Sequence, residues 1–157
     1  MIALVTSLPT KVWLAAAASR DSKSFNPEQD RPTKATRCLR VLVVEDEFFI
    51  SLYIKELLET LGHKVVAIAV SADDAVNIAA AESPDIVLMD IRLVGPRDGI
   101  DAAQEIWSRF GIGSIFVTAN TDAGTRKRAL AIKPIALLEK PLTEHRLRLG
   151  LSGLSLD

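Results

Sequence analysis

The sequence predicts a doubly wound α/β fold, in which helices cover both faces of a five-stranded parallel sheet. From Leu39 onward, short apolar runs rich in β-branched residues alternate with segments of helical period, and this strand-then-helix unit recurs five times. Parallel strands need crossover connections, and both faces of a parallel sheet must be covered. The 157 residues, of which 48% are hydrophobic, suffice for one globular core and are short for two.

The first strand and the first helix are clearly marked. A buried strand is predicted over 39–44 because this run is almost wholly apolar. The apolar residues that follow are spaced so that they share one helix face: Ile50, Ile54, Leu57, Leu58 and Leu61. Gly62 is typical of a helix end. We therefore expect this helix to cover the sheet.

The second unit and the third strand follow the same logic. A second apolar run covers 65–70, and Ser71 followed by Asp74 is a capping-box pattern that opens a helix. Pro84 breaks this helix, because proline cannot continue it. A third strand is predicted over 86–89.

The remaining elements are shorter. The helix after the third strand stops near Gly111, and a fourth strand is predicted over 115–117. A fourth helix carries the apolar residues of 129–132, and a fifth strand is predicted over 135–138. A fifth helix is expected to begin at Thr143, which is a typical N-cap residue.

The N-terminal region differs in composition from the rest. Residues 19–37 are mostly polar or charged and cannot bury enough apolar surface to offset ordering entropy. We therefore expect a flexible leader over 1–37, a folded domain over 38–152 and a tail over 153–157. An export signal fits poorly, since the apolar stretch is short and its first lysine follows an apolar start. The sequence also leaves open that the true start codon lies downstream.

Composition argues against several classes of protein. The net charge of −1 and the pI of 6.1 give no whole-chain attraction to nucleic acid or anionic lipid. No stretch approaches the roughly 18 continuous apolar residues of a membrane span. The single cysteine, Cys38, cannot form an intramolecular disulfide, and no Cys/His group has zinc-site spacing. The cytoplasm is the expected compartment.

Polar side chains follow four of the five predicted strands. Glu45 and Asp46 come after the first strand and Asp90 after the third. Thr118 follows the fourth strand, and Lys140 follows the fifth. Each of these alone is ordinarily a helix cap, a turn residue or a surface residue. Because ligand sites in such sheets lie beyond the carboxyl ends of the strands, we expect these side chains to meet at one edge.

Three carboxylates at one edge would repel one another unless a cation were present. Magnesium prefers oxygen ligands from one or two carboxylates together with water and phosphate, which fits Asp46 and Asp90. The ammonium of Lys140 and the hydroxyl of Thr118 can then contact phosphoryl oxygens. The residues alone thus predict a magnesium-dependent site that neutralises phosphate charge.

Four segments in the expected order resemble the receiver domain of two-component response regulators, over about 39 to about 149. They are Val43-Val44-Glu45-Asp46-Glu47, Val87-Leu88-Met89-Asp90-Ile91-Arg92, Val117-Thr118-Ala119 and Glu139-Lys140-Pro141. The resemblance implies the flavodoxin-like (βα)5 receiver fold. It also implies that Asp90 is the nucleophile that forms an aspartyl phosphate.

The resemblance assigns a role to each of the other residues. Asp46 would bind Mg²⁺ directly, and Glu45 would bind it through water. The backbone carbonyl of Arg92 would supply a further oxygen. Lys140 would contact the phosphoryl group, and Thr118 would be the switch residue that moves toward it.

Some features depart from the usual receiver pattern. The loop after Asp90 lacks the common Met-Pro pair and is one residue longer, so we expect access for the phosphodonor to differ. Leu137 stands where many members carry a switch Tyr or Phe. The last helix is short and soon meets Gly150 and Gly153, which weakens the case for the usual output face of helix 4, strand 5 and helix 5. Pro141 after Lys140 indicates a cis peptide, as in the family.

The resemblance implies a phosphoacceptor and not an enzyme. A histidine kinase or a histidine phosphotransfer protein would donate the phosphoryl group, and a downstream protein target would bind the phosphorylated face. Of the 157 residues only 17 follow Lys140, too few for an output domain. We therefore expect a single-domain regulator, with no direct contact to nucleic acid and no membrane insertion.

Two alternatives compete with this interpretation. A pseudo-receiver would bind its partners without phosphate, which the intact set of acidic residues, Thr118 and Lys140 argues against. A phosphatase of the haloacid dehalogenase type also uses an Asp nucleophile after a strand. Those enzymes carry a D-x-D motif, whereas Arg92 stands two residues after Asp90 here.

Overall fold

The computed structural model describes residues 37–119 and 122–154, in which five strands and five helices alternate along the chain. The strands are β1 (Arg40–Val44), β2 (Lys64–Ala69), β3 (Ile86–Asp90), β4 (Gly113–Thr118) and β5 (Ala136–Glu139). The helices are α1 (Phe48–Thr60), α2 (Ala72–Glu82), α3 (Gly99–Phe110), α4 (Ala123–Ala131) and α5 (Glu144–Ser152). The predicted order of elements is confirmed.

All the strand pairs are parallel, and the strands lie in the order β2-β1-β3-β4-β5. The chain runs outward from β1 to β2 and then returns to the other side of β1 to form β3. The direction of winding therefore reverses between β1 and β3. Ligands in open α/β sheets bind at such a switch point, beyond the carboxyl ends of the strands.

Two hydrophobic clusters cover the two faces of the sheet. Alternate residues of β1 enter different clusters, since Leu42 and Val44 face one side and Val41 and Val43 the other. Buried side chains of α2, α3 and α4 join the first cluster, and those of α1 and α5 join the second. The predicted doubly wound α/β fold is confirmed.

Most of the predicted helix boundaries agree with the structure. Gly62 follows α1 with a φ of +85°, a left-handed conformation that favours glycine. Ser71 caps α2, and its hydroxyl accepts the backbone N–H of Asp74 at 3.2 Å. Gly111 ends α3 with a φ of +67°. The local signals in the sequence thus end these helices where they were expected to.

Several predicted bounds were displaced. β5 begins and ends one residue later than predicted, and β4 begins two residues earlier, at Gly113. The last helix passes through Gly150 and ends at Ser152, with Gly153 as its C-cap. Gly150 is buried in this helix, and a Cβ at this position would lie 3.1 Å from the side chain of Leu138. This glycine is thus a close contact between α5 and β5 and not a helix end.

The predicted leader, except for Arg37, lies outside the described residues, as do positions 155–157 of the predicted tail. In the described part of the chain, no helix is both long enough and apolar enough to cross a membrane.

Candidate functional site

The acidic residues predicted to meet at the carboxyl edge of the sheet do so. Val44 at the end of β1 pairs with Met89 of β3, so the residues that follow these two strands are neighbours. Carboxylate oxygens of Glu45, Asp46 and Asp90 all lie within 4.8 Å of one another. Glu45 and Asp90 are buried, whereas Asp46 is partly exposed. The fold therefore concentrates negative charge at the switch point.

Lys140 reaches this cluster from the far side of β4. Its ammonium donates to Asp90 Oδ2 at 2.7 Å and to Glu45 Oε2 at 2.8 Å. Its backbone N–H donates to the carbonyl of Thr118 at 2.7 Å, which fixes the end of β5 against the end of β4. The Lys140–Pro141 peptide is cis, as expected. One long side chain thus links the ends of β1, β3 and β5.

Both oxygens of the Asp90 carboxylate have a partner. Oδ1 accepts the backbone N–H of Arg92 at 2.9 Å, and Oδ2 accepts from Lys140. The side chain is 8% exposed, so only a small part of it is accessible. The role expected for the Arg92 carbonyl stays a prediction.

The backbone of Gly99 lies close to the backbone of Asp90. Its backbone N–H donates to the carbonyl of Ile91 at 2.9 Å. A Cβ at position 99 would lie 1.9 Å from the carbonyl oxygen of Asp90, well inside van der Waals contact. Only glycine therefore lets α3 begin this close to the backbone of Asp90, a requirement that the sequence analysis missed.

The environment shifts the pKa values of two of these groups. Burial raises the pKa of Glu45, and the negative charge of Asp90 acts in the same direction, while the hydrogen bond from Lys140 opposes both. Burial works against the charge of Lys140, but its hydrogen bonds to Asp90 and Glu45 outweigh this and raise its pKa. The hydrogen bonds to the two carboxylates therefore favour the protonated, positively charged form of Lys140.

The charges in the site do not balance. Three carboxylates surround one ammonium, so an excess of up to two negative charges remains. All the available ligand atoms are hard oxygens, the donors that Mg²⁺ prefers. The residues present fit a divalent magnesium ion in both charge and chemistry.

Thr118 lies at the predicted edge of the sheet, but its hydroxyl points elsewhere. The residue is 1% exposed, and Oγ1 donates to the carbonyl of Ala119 at 2.7 Å. Leu137, one strand away, pairs with Phe116 and packs partly buried against the first hydrophobic cluster. As the sequence indicated, the position where many receiver domains carry an aromatic switch residue is occupied here by an aliphatic side chain.

An apolar surface beside the site was missed by the sequence analysis. Phe48, Phe49, Leu52 and Tyr53 are all exposed large side chains, and we call them the α1 aromatic face. The Tyr53 hydroxyl donates to the carbonyl of Leu142 at 3.1 Å. A cavity of about 380 Å³ between α1 and the β5–α5 loop is lined by Ile50, Tyr53, Ile54, Val117, Lys140, Pro141 and Leu142. The signal in the sequence was the Phe-Phe pair directly after the acidic motif.

Residues 41–151 match the family model of the response regulator receiver domain. The chain belongs to this family. The receiver resemblance in the sequence and the receiver fold in the structure are thereby confirmed.

The chain is similar in sequence to parts of longer regulatory proteins. It is 36% identical over 104 residues to the transcriptional regulatory protein PdtaR of Mycobacterium tuberculosis, covering 66% of this chain and 50% of PdtaR. It is 34% identical over 93 residues to the phyllosphere-induced regulator PhyR of Methylorubrum extorquens, covering 59% of this chain and 35% of PhyR. The chain thus spans about half the length of PdtaR and about a third of that of PhyR.

Solved receiver domains have the same architecture. The receiver domain of a modulated diguanylate cyclase from Desulfovibrio desulfuricans superposes with a TM-score of 0.70 at 31% identity, covering 74% of this chain and 92% of that domain. The receiver domain of PhyR from Erythrobacter litoralis gives a TM-score of 0.64 at 32% identity, covering 76% and 92%.

Proposed function

We propose that Asp90 accepts a phosphoryl group from a histidine kinase or a histidine phosphotransfer protein, and that 38–152 form the receiver module. The observation that carries this proposal is the cluster of three carboxylate groups within 4.8 Å, with the Lys140 ammonium 2.7 Å from Asp90. Such a cluster is costly without a ligand, because like charges repel. A divalent metal ion would supply the missing positive charge, and the ion and Lys140 together could then accept the negative charge of a phosphoryl group.

The reaction is a phosphoryl transfer between side chains. An oxygen of the Asp90 carboxylate bonds to phosphorus while the bond from phosphorus to the donor imidazole nitrogen breaks. The electron pair of that bond stays on the imidazole, and Asp90 becomes an acyl phosphate. The chain is therefore a phosphoacceptor that at most catalyses its own phosphorylation and dephosphorylation.

Asp46 and Asp90 would hold Mg²⁺ directly, with Glu45 acting through water and Arg92 through its backbone carbonyl. When bound, the ion would supply positive charge to neutralise phosphoryl oxygens. The Lys140 ammonium donates to the Asp90 carboxylate at 2.7 Å, which supports a role in pairing with a phosphoryl oxygen. The hydroxyl of Thr118 would leave the Ala119 carbonyl to donate to another.

The donor would dock on the α1 aromatic face. Asp90 is 6% exposed, so a donor protein must come close to the surrounding surface for its histidine to reach the carboxylate. The face begins at Phe48, two residues after Asp46, and offers exposed apolar area of the kind that marks protein contacts. Phe49 is 83% exposed, which has no explanation in the folding of the chain alone.

The output would be binding to a downstream protein. The relatives include a transcriptional regulatory protein, and a similar solved structure is that of the anti-anti-sigma factor PhyR from Bartonella quintana, at 31% identity and a TM-score of 0.62. That structure covers 76% of this chain, which in turn covers 48% of PhyR. These relatives support regulation of gene expression through a protein partner.

Intact mass spectrometry after incubation with acetyl phosphate and Mg²⁺ tests the proposal. The wild-type chain should gain the mass of one phosphoryl group, and Asp90→Asn should gain none. Asp74→Asn, on the exposed first turn of α2, is the matched control and should gain as much as wild type. A wild-type chain that binds a partner but never gains this mass would be a pseudo-receiver.

A further inference from the structure

A single arginine of α4 contacts both carboxylates at the start of α3. Arg128 Nη1 donates to Asp98 Oδ2 at 2.7 Å, and Nη2 donates to Asp101 Oδ1 at 3.1 Å. The residues are 30 and 27 positions apart in sequence, so this contact joins two different elements. We call these three residues the α3–α4 latch.

The acidic half of the latch is part of a capping box. The Asp98 side chain accepts the backbone N–H groups of Ile100 and Asp101, each at 3.0 Å, and the Asp101 side chain accepts the backbone N–H of Asp98. The next residue after Asp98 is Gly99, which lies directly on the carbonyl of Asp90. The acidic half of the latch is therefore part of the hydrogen-bonded start of α3, which contacts the backbone of Asp90 through Gly99.

The other half of the latch is on a helix with little else to hold it. Among the residues of α4, only Ala129 is buried. Arg126 lies 3.6 Å from Glu139, an ion pair in which both side chains are more than half exposed. Such pairs contribute little. Arg128 is also 52% exposed, but it contacts two carboxylates, at 2.7 Å and 3.1 Å, which makes this the closest ion-pair contact of α4 with another element in the described part of the chain.

We propose that the α3–α4 latch holds α4 in the unphosphorylated arrangement and opens when Asp90 is phosphorylated. This inference rests on the proposed function. Thr118 ends β4 with its hydroxyl on the Ala119 carbonyl, and α4 begins five residues later, at Ala123. When Thr118 turns toward the phosphoryl group, it pulls on this short connection. Because the acidic half of the latch is fixed beside Asp90, the helix moves relative to it and Arg128 leaves its partners.

The latch replaces the missing aromatic switch as the element that distinguishes two states. Leu137 has no polar tip that a rotamer change would expose. A contact present only in the unphosphorylated state opposes phosphorylation by its own free energy, by linkage. Removing it therefore favours the phosphorylated state. For a partly exposed ion pair, the expected gain in affinity for a phosphoryl mimic is about two- to fivefold.

The test compares the affinity of four variants for beryllofluoride, a stable phosphoryl mimic, in the presence of Mg²⁺. Arg128→Gln removes the guanidinium. Asp98→Asn keeps a good helix cap while removing the charge. Lys127→Gln, at the exposed neighbouring position, is the matched control. The double variant of positions 98 and 128 completes a cycle that measures their coupling.

We expect Arg128→Gln to bind the mimic two- to fivefold more tightly than wild type, and Lys127→Gln to bind it as wild type does. The gain in affinity of the double variant should be smaller than the sum of the gains of the two single variants. Without the mimic, amide exchange over 123–131 should also be faster in Arg128→Gln. Equal affinities of Arg128→Gln and wild type would overturn the latch while leaving the proposed function intact. A wild-type chain that does not bind beryllofluoride would overturn the proposed function, and the latch with it.

Discussion

At the scale of single residues, the site is defined by unbalanced charge. Lys140 partly neutralises Asp90 and Glu45, but Asp46 has no cationic partner among the described residues. Asp46 is also the most exposed of the three acidic residues, so it is the most accessible to a hydrated ion. The arrangement favours Asp46 as a direct ligand and Glu45, held by Lys140, as an indirect one.

Isosteric amide variants separate these two roles. Glu45→Gln should weaken Mg²⁺ binding by about 10- to 100-fold, the usual cost of losing a partner outside the ligand shell. Asp46→Asn should weaken it further, because it removes a direct ligand. Isothermal titration calorimetry with MgCl₂ measures both constants, and Asp74→Asn is a control that should bind as wild type does. Equal losses in the two variants would contradict the assigned roles.

His63 lies outside the site and makes stability depend on pH. It is 6% exposed, and its Nδ1 accepts the backbone N–H of Leu39 at 3.3 Å. Burial lowers its pKa below the ordinary 6.5. The unfolded chain therefore binds more protons than the folded chain just below pH 6.5, so the free energy of unfolding falls as the pH falls through this range. Above pH 6.5 the contribution of His63 is fully present.

Thermal melts between pH 7.5 and pH 5 measure this effect. His63→Asn should show a smaller loss of melting temperature on acidification than wild type, because it removes the titrating group and keeps an acceptor for Leu39. His145 is the other histidine of the chain and is exposed, so His145→Asn should leave the wild-type slope unchanged. If both variants had the wild-type slope, another group would be responsible.

At the scale of elements, the packing of α3 on β3 depends on one glycine. Gly99→Ala should destabilise the fold by about 1–3 kcal/mol or more, since the added Cβ meets the backbone carbonyl of Asp90 and not a flexible side chain. Gly153→Ala is the matched control, because φ is −71° there and the nearest atom to a Cβ lies 3.8 Å away. Urea denaturation of the three proteins gives the free energies.

The control should be neutral or slightly stabilising, through its effect on the unfolded chain. A Gly99→Ala variant as stable as wild type would show that α3 can move away from Asp90 at little cost. In that case the close contact would not transmit the state of Asp90 to the start of α3.

The elements themselves were predictable, whereas the individual hydrogen bonds and ion pairs between distant elements were not. The apolar spacing of Ile54 and Leu58 and the cap at Ser71 are local signals, and both were confirmed. The capping box at Asp98 also has a local pattern, but it lies in a loop without clear period and was missed. The contacts of Lys140 with Glu45 and of Arg128 with Asp98 depend on strand order and helix packing, which spacing along the chain does not contain.

At the scale of the whole molecule, the residues of the candidate site lie at one end of the sheet, and the other end carries structural contacts. The carboxyl edge holds the acidic cluster, Lys140 and Thr118. The opposite edge is closed by ordinary structural contacts, such as the bond from the Arg40 backbone N–H to Asp85 at 2.7 Å. The convergence at the carboxyl edge was predictable, because every parallel strand of the sheet ends there. The direction of the Thr118 hydroxyl was not, since it depends on a rotamer.

A switch based on this arrangement should change only one region of the molecule. Hydrogen exchange compared with and without beryllofluoride and Mg²⁺ should change over 118–133, where Thr118 connects to α4. It should stay constant over 82–86, at the opposite edge of the sheet, which serves as the internal control. Asp90→Asn should show no change over 118–133. The region around Leu137 should respond little, because its aliphatic side chain stays packed on the core cluster. Protection that changed around Leu137 and not over 118–133 would show that β5 carries the signal, and that α4 does not.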